Sequence, residues 1–132
     1  MSTAKTDAEK VHILHVDDEP EVRVLISASL REIGYVVATV GSVVEALRLA
    51  GGMKFKLCIL DLSLPDGGGI ELCQHLRKLQ PDASIVYCSA YADEATVTKA
   101  LSTCGDAYLK KPISMAELER TIAGLINEKM GL

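Results

Sequence analysis

The chain has 132 residues, of which 48% are hydrophobic, and 18 acidic against 14 basic side chains give a formal net charge of −4. One domain of this length buries roughly two-thirds of its unfolded surface without a staple, which excludes a disordered chain, and the mild acidity excludes the basic field of a nucleic-acid surface. Aromatic residues are only 4%, with no Trp and one Phe, so a stacking platform for single strands is excluded and the core must be aliphatic.

Residues 1–10 (MSTAKTDAEK) are polar and lack the apolar stretch of a signal peptide. They read as a frayed tail ahead of a domain over 11–129, with 130–132 as its end. Residues 11–16 (VHILHV) form a first aliphatic run, too short for a helix. Residues 19–33 follow, with Val22, Leu25, Ile26, Ser29, Leu30 and Ile33 at helical spacing. Pro20 suits the first turn, where its missing N–H would be unpaired anyway. The second run is 35–40 (YVVATV). Ser42 and Glu45 then fit a capping box, in which hydroxyl and carboxylate satisfy orphan N–H groups reciprocally.

The third run is 57–60 (LCIL), followed by a helix with Leu72, Leu76 and Leu79 on one stripe. Between them, Gly67-Gly68-Gly69 lacks the pattern of a phosphate loop and reads as a flexible turn. The fourth run is 84–88 (SIVYC), and the helix after it, about 93–102, is the least apolar and the least firmly packed. A short fifth run, 107–109, precedes a last helix over about 115–129. Ser114 and Glu117 box that helix, and Leu118, Ile122, Leu125 and Ile126 form its stripe. Gly34, Gly51 and Gly105 stand where helices end and offer left-handed caps.

Five strand–helix units in alternation imply an α/β fold: a doubly wound, five-stranded parallel sheet with five helices and right-handed crossovers. Runs one, three and four alternate little, as strands buried on both faces do. No apolar run approaches the about 18 residues of a membrane span. Cys58, Cys73, Cys88 and Cys104 make no CxxC pair, and their spacing follows the repeat of structural elements. They read as reduced, mostly buried thiols of a cytoplasmic protein. His12, His15 and His75 read as structural, since residues three apart in a strand face opposite sides and cannot chelate together.

The chemistry gathers at the ends of the aliphatic runs. Run one ends in Asp17-Asp18, run three in Asp61, run four in Ser89 and run five in Lys110-Lys111-Pro112. In a parallel sheet these ends share the carboxyl edge, where open α/β sheets bind ligands. Two carboxylates about 5 Å apart repel by roughly 3 kcal/mol at an effective dielectric near 20, so the acidic set calls for a cation. Its hard, all-oxygen character suits Mg²⁺. An Asp beside that ion and a Lys has the surroundings of a nucleophile that forms an aspartyl-phosphate.

The ordered marks are Asp17-Asp18, Asp61 ahead of Leu64-Pro65 and Gly69, Ser89-Ala90, Tyr108 and Lys111-Pro112. With them the chain resembles the receiver domain of bacterial two-component response regulators from about residue 11 to 126. The resemblance implies a flavodoxin-like strand order 2-1-3-4-5. It implies that Asp61 is the phospho-acceptor and that Lys111 pairs with the phosphoryl group across a cis bond to Pro112. Mg²⁺ would be held by Asp17, Asp18, Asp61 and the backbone carbonyl of Ser63, with Asp17 acting mainly through water. Ser89 and Tyr108 would form the switch that reshapes the surface of the fourth helix, fifth strand and fifth helix. Ser89 stands where Thr is frequent, and Ile113 where Phe is frequent. Tyr91 is bulky and is expected to hinder the attacking water.

The implied function is phosphorelay signal transduction by a stand-alone domain, although a receiver excised from a longer regulator or hybrid kinase reads identically. Its partners would be a sensor histidine kinase or phosphotransfer protein, a downstream protein target, or a second copy as a homodimer, with no direct nucleic acid and no membrane. It would not be an enzyme on a separate substrate, though it would catalyse its own phosphorylation and dephosphorylation. A phosphatase of the haloacid dehalogenase type needs DxD, and here the residues are Asp61-Leu62-Ser63. A pseudo-receiver would lack part of this residue set.

Overall fold

A computed structural model describes residue 6 and residues 9–90, 93–129 and 131. Tyr91 and most of the polar N-terminal segment lie outside the described residues. The elements are β1 (His12–Val16), α1 (Pro20–Ile33), β2 (Val36–Val40), α2 (Val43–Ala50), β3 (Leu57–Leu60), β4 (Ser63–Leu64), β5 (Gly67–Gly68), α3 (Gly69–Leu79), β6 (Ser84–Ser89), α4 (Glu94–Thr103), β7 (Ala107–Lys110) and α5 (Met115–Lys129). The main sheet has five parallel strands in the order β2-β1-β3-β6-β7. This is the order 2-1-3-4-5 once the strands of a small hairpin, β4–β5, are set aside.

The strands in the middle of the sheet explain the continuous aliphatic runs. Every residue of β3 and β6 is buried, and β1 is buried from Ile13 onward. Side chains pointing to one face pack among α2 and α3, with Leu14, Leu60, Leu72, Leu76 and Tyr87 at the centre. Those on the other face pack among α1 and α5, with Ile13, Ile59, Leu30, Leu118 and Ile122. Two faces, each closed by helices, leave no place for polar alternation.

The helix boundaries follow from local chemistry. Pro20 opens α1, and Gly34 closes it at φ 118°, where a side chain would be strained. Ser42 accepts the Glu45 N–H at 3.3 Å, while its hydroxyl donates to the Glu45 carboxylate at 3.0 Å. Ser114 accepts the Glu117 N–H at 3.3 Å. Two expectations about the helices need correction. Gly51 caps α2 in a right-handed conformation, φ −76°, because its N–H continues the helical bond to Leu47. Leu79 is exposed, not part of the α3 stripe, and so are Leu25 and Ile33 on α1; on α3, Cys73 takes the place of Leu79 beside Leu72 and Leu76.

A third correction concerns the cysteines. Cys58 and Cys88 are free and buried in strands, as expected. Cys73 and Cys104, however, are joined in a disulfide. Cys73 lies on the inner face of α3, and Cys104 is the residue that caps the far end of α4, which brings their Cα atoms to 6.2 Å. The even spacing along the sequence conceals this, because it counts elements and not the sides of the sheet on which they fold. A bridge across 31 residues contributes about 3 to 4 kcal/mol by restricting the unfolded chain.

The expected glycine turn is also more ordered than its composition suggests. Ser63 and Leu64 pair antiparallel with Gly68 and Gly67. Asp66, at the tip, accepts the N–H groups of Val43 and Val44 at 2.8 and 3.0 Å, capping α2 from outside. Those bonds hold the Asp66 carboxyl below the usual carboxylate range.

Candidate functional site

The sheet places Asp17, Asp61, Ser89 and the 110–112 segment along its carboxyl edge. Asp17 follows β1, its N–H bonded to the Val40 carbonyl; Asp61 follows β3, its N–H bonded to the Val16 carbonyl. Ser89 ends β6, and its carbonyl accepts the Lys111 N–H at 2.9 Å. The Lys111–Pro112 bond is cis. Residues far apart in the sequence therefore reach one place because parallel strands end there together.

At the centre, one ammonium meets three carboxylates. Lys111 Nζ lies 2.7 Å from Asp17 Oδ2, 2.9 Å from Asp61 Oδ2 and 3.0 Å from Glu19 Oε1. Burial by itself would lower the Lys111 pKa, but the hydrogen bonds to Asp17, Asp61 and Glu19 outweigh it and raise it. Asp17 is almost wholly buried, and that burial raises its pKa against the opposing bonds from Lys111 and the Glu19 N–H. The other Asp61 oxygen, Oδ1, accepts the Ser63 N–H at 3.1 Å. Both buried carboxylates thus have fixed orientations and a shared counter-charge.

The acidic set extends outward. Ligand oxygens from Asp17, Asp18, Glu19 and Asp61 all lie within 4.8 Å of one another. Such an all-oxygen, partly exposed set fits a hard divalent cation such as Mg²⁺, which keeps several waters of its own. No His or Cys belongs to it, so the donors do not fit zinc. His15 points elsewhere: it is buried against Thr39, with Nδ1 3.0 Å from Oγ1. Burial first, then the Lys111 charge, lowers its pKa to about 4, which keeps the ring neutral.

Burial raises the Tyr108 pKa, and the neighbouring Ser89 side chain opposes that shift. Tyr108 sits on β7 opposite Tyr87 of β6, with ring centroids 5.9 Å apart. Asp61, Lys111, Asp17 and Asp18 are thus brought together, Ser63 adjoins them through its backbone, and Ser89 and Tyr108 form a pair beside them. Two contributors escaped the sequence reading. Glu19 holds Lys111 and belongs to the acidic set. Arg23 donates to the Asp17 carbonyl at 2.6 Å and fixes that turn. Glu19 was legible as the third consecutive acid after run one; Arg23, buried in a helical pattern, carried no mark.

Gly69 explains why the segment behind Asp61 can lie so close. A Cβ at this position would overlap the carbonyl of Asp61 and the Cα of Leu62. The Gly69 N–H donates to the Leu62 carbonyl at 2.8 Å, which locks the start of α3 against the turn bearing Asp61.

Residues 13–123 match the family model of the response regulator receiver domain. Response regulator protein PilR of Pseudomonas aeruginosa is 32% identical over 110 residues, which is 83% of this chain and 25% of that protein. The chain spans between a quarter and about half of the length of the curated relatives it matches. A CheY-like receiver domain protein from Methanospirillum hungatei superposes with a TM-score of 0.89 at 28% identity, over 93% of this chain and 98% of that one. A response regulator protein from Burkholderia pseudomallei, solved with a phosphorylated aspartic acid and a calcium ion, gives a TM-score of 0.78 at 34% identity, over 83% of this chain and 64% of that one.

Proposed function

The chain belongs to the response regulator receiver domain family, and from that premise we propose that Asp61 accepts a phosphoryl group from a phospho-histidine. The donor is a sensor histidine kinase or a phosphotransfer protein, in the cytoplasm. One observation carries the reading: an Asp61 oxygen sits 2.9 Å from a partly buried ammonium within an acidic set suited to a divalent ion.

An Asp61 carboxylate oxygen attacks phosphorus, the P–N bond to the donor imidazole breaks, and the imidazole leaves with a proton. The Ser63 N–H on Oδ1 and the Lys111 bond on Oδ2 keep the carboxylate from rotating. The transferring phosphoryl group spreads negative charge over its equatorial oxygens. Lys111 stabilises one of them, exchanging a carboxylate partner for a phosphoryl oxygen. Asp17, Asp18, Asp61 and the Ser63 carbonyl would hold Mg²⁺, which supplies neutralisation of the remaining phosphoryl charge. The Ser89 hydroxyl then turns to a phosphoryl oxygen and Tyr108 turns inward, so that the α4–β7–α5 surface changes its preferred shape. Output passes to a downstream protein or a second copy. The chain promotes its own dephosphorylation by the same groups acting on water.

The test is intact mass after incubation with acetyl phosphate and Mg²⁺. One phosphoryl group is expected on the wild-type chain, and none on Asp61→Asn or with the divalent ion chelated. Unchanged labelling of Asp61→Asn would assign the acceptor to another residue and overturn the reading.

A further inference from the structure

The helix that the switch must move, α4, has little of its own to hold it. Among its described residues only Ala100 is fully buried, and its last turn carries no basic side chain. Helix α3, by contrast, is anchored by Leu72, Cys73 and Leu76. The disulfide therefore ties the loosest helix to a firm one, at the residue that ends α4.

The same residue is tied to the sheet. The Cys104 carbonyl accepts the Tyr87 hydroxyl at 2.8 Å. Gly105, at φ 102°, packs directly on the Tyr87 ring, where a Cβ would overlap it. Tyr87 neighbours Tyr108, and the strand that carries Tyr108 pairs with the strand that ends in Ser89. A continuous run of contacts thus joins the bridge to the pair beside Asp61.

The two cysteines differ in exposure. Cys73 is fully buried, whereas Cys104 is partly exposed on the wall of a groove between α3 and α4 that also carries Glu71, His75, Arg77 and Lys78. Arg77 is paired with Asp106 at 2.8 Å, which leaves Lys78 as the cation that favours an incoming thiolate and the thiolate it displaces. Cys58 and Cys88 offer no alternative: both are fully buried, and that burial pushes their thiols up to about 12. Disulfides in a cytoplasmic protein are usually transient, catalytic or redox-sensing.

We propose that Cys73–Cys104 is a reversible thiol–disulfide site, opened by a dithiol reductant, whose closed form clamps the end of α4 and restrains the switch surface. A reductant thiolate attacks the Cys104 sulfur, the Cys73 sulfur leaves as a thiolate and takes a proton, and the reductant's second thiol releases Cys104. Two electrons pass from the dithiol, which becomes a disulfide. The bond itself stands on the geometry alone; its consequence for signalling rests on the receiver reading above.

The full chain is equilibrated with oxidised glutathione or with dithiothreitol, and free thiols and amide exchange are measured. Two titratable thiols are expected in the denatured oxidised chain and four after reduction. Exchange across residues 94–105 should then rise roughly tenfold. Cys104→Ser should exchange at the fast rate in both conditions, and Cys73→Ala should match it, so that the result does not hang on one buried substitution. Asp61→Asn keeps the whole redox response while losing phosphoryl uptake, which separates failure of this inference from failure of the acceptor reading. Four thiols under oxidising conditions, or equal exchange of α4 in both states, would overturn the proposal.

Discussion

Lys111 donates to Asp61 at 2.9 Å and holds Asp17 on the same ammonium at 2.7 Å. A single cation thus offsets two buried carboxylates that would otherwise repel each other. Lys111→Met should cost about 3 kcal/mol or more in buffer free of divalent ions, because both charges then stay buried and unpaired. Urea unfolding measures this. Added Mg²⁺ should raise the Tm of the variant more than that of the wild type; equal gains would mean that ion and ammonium do not serve the same charges.

Gly69→Ala should be destabilising by about 1 to 3 kcal/mol, since the new methyl meets backbone that cannot rotate away. The displaced backbone carries Asp61, so phosphoryl uptake from acetyl phosphate should slow as well. Gly52→Ala, where no atom lies within 4 Å of the added Cβ, is the control and should leave uptake unchanged.

Ser89, whose side chain acts on Tyr108, should be coupled to it in a double-mutant cycle. Ser89→Ala and Tyr108→Phe together should cost less than the sum of the two alone, by about 0.5 to 1.5 kcal/mol in the unphosphorylated chain. In the phosphorylated chain the coupling should shrink, as the serine changes partner. Additive effects in both states would remove the pair from the switch.

His15 gives the resting fold a pH dependence. Its folded pKa, about 4, lies below the ordinary value of 6.5 because the ring is buried. Between these values the unfolded chain binds the proton and the folded chain does not. Stability is therefore complete above pH 6.5 and falls as pH drops toward 4, by about 3 kcal/mol across the window. Asp17, whose pKa is raised by burial, acts in the opposite sense, so the two must be separated. The difference in unfolding free energy between wild type and His15→Gln isolates the histidine and should narrow steadily over this range. A constant difference would show that the ring takes its proton without cost.

The sheet and its helices were legible because the folding rules at work are local or repetitive. Continuous aliphatic runs announce strands covered on both faces, and Pro20, Ser42, Ser114 and Gly34 mark helix ends by chemistry that needs no partner elsewhere. The central site was legible because each of its members ends a run, and parallel strands end together. What escaped depends on tertiary neighbours. The β4–β5 hairpin has too few residues to show a period. Glu19 matters only because Lys111 arrives from 92 residues away. The Cys73–Cys104 bridge requires knowing which face of α3 meets the end of α4.

The Asp66 cap has a mechanical consequence. It rivets the loop beyond Asp61 to the start of α2, so that flank of the sheet is stiff. The opposite flank ends in a helix with a single deeply seated side chain. A disturbance at the acidic cluster meets unequal compliance on its two sides, and the strain it generates relaxes toward the yielding one.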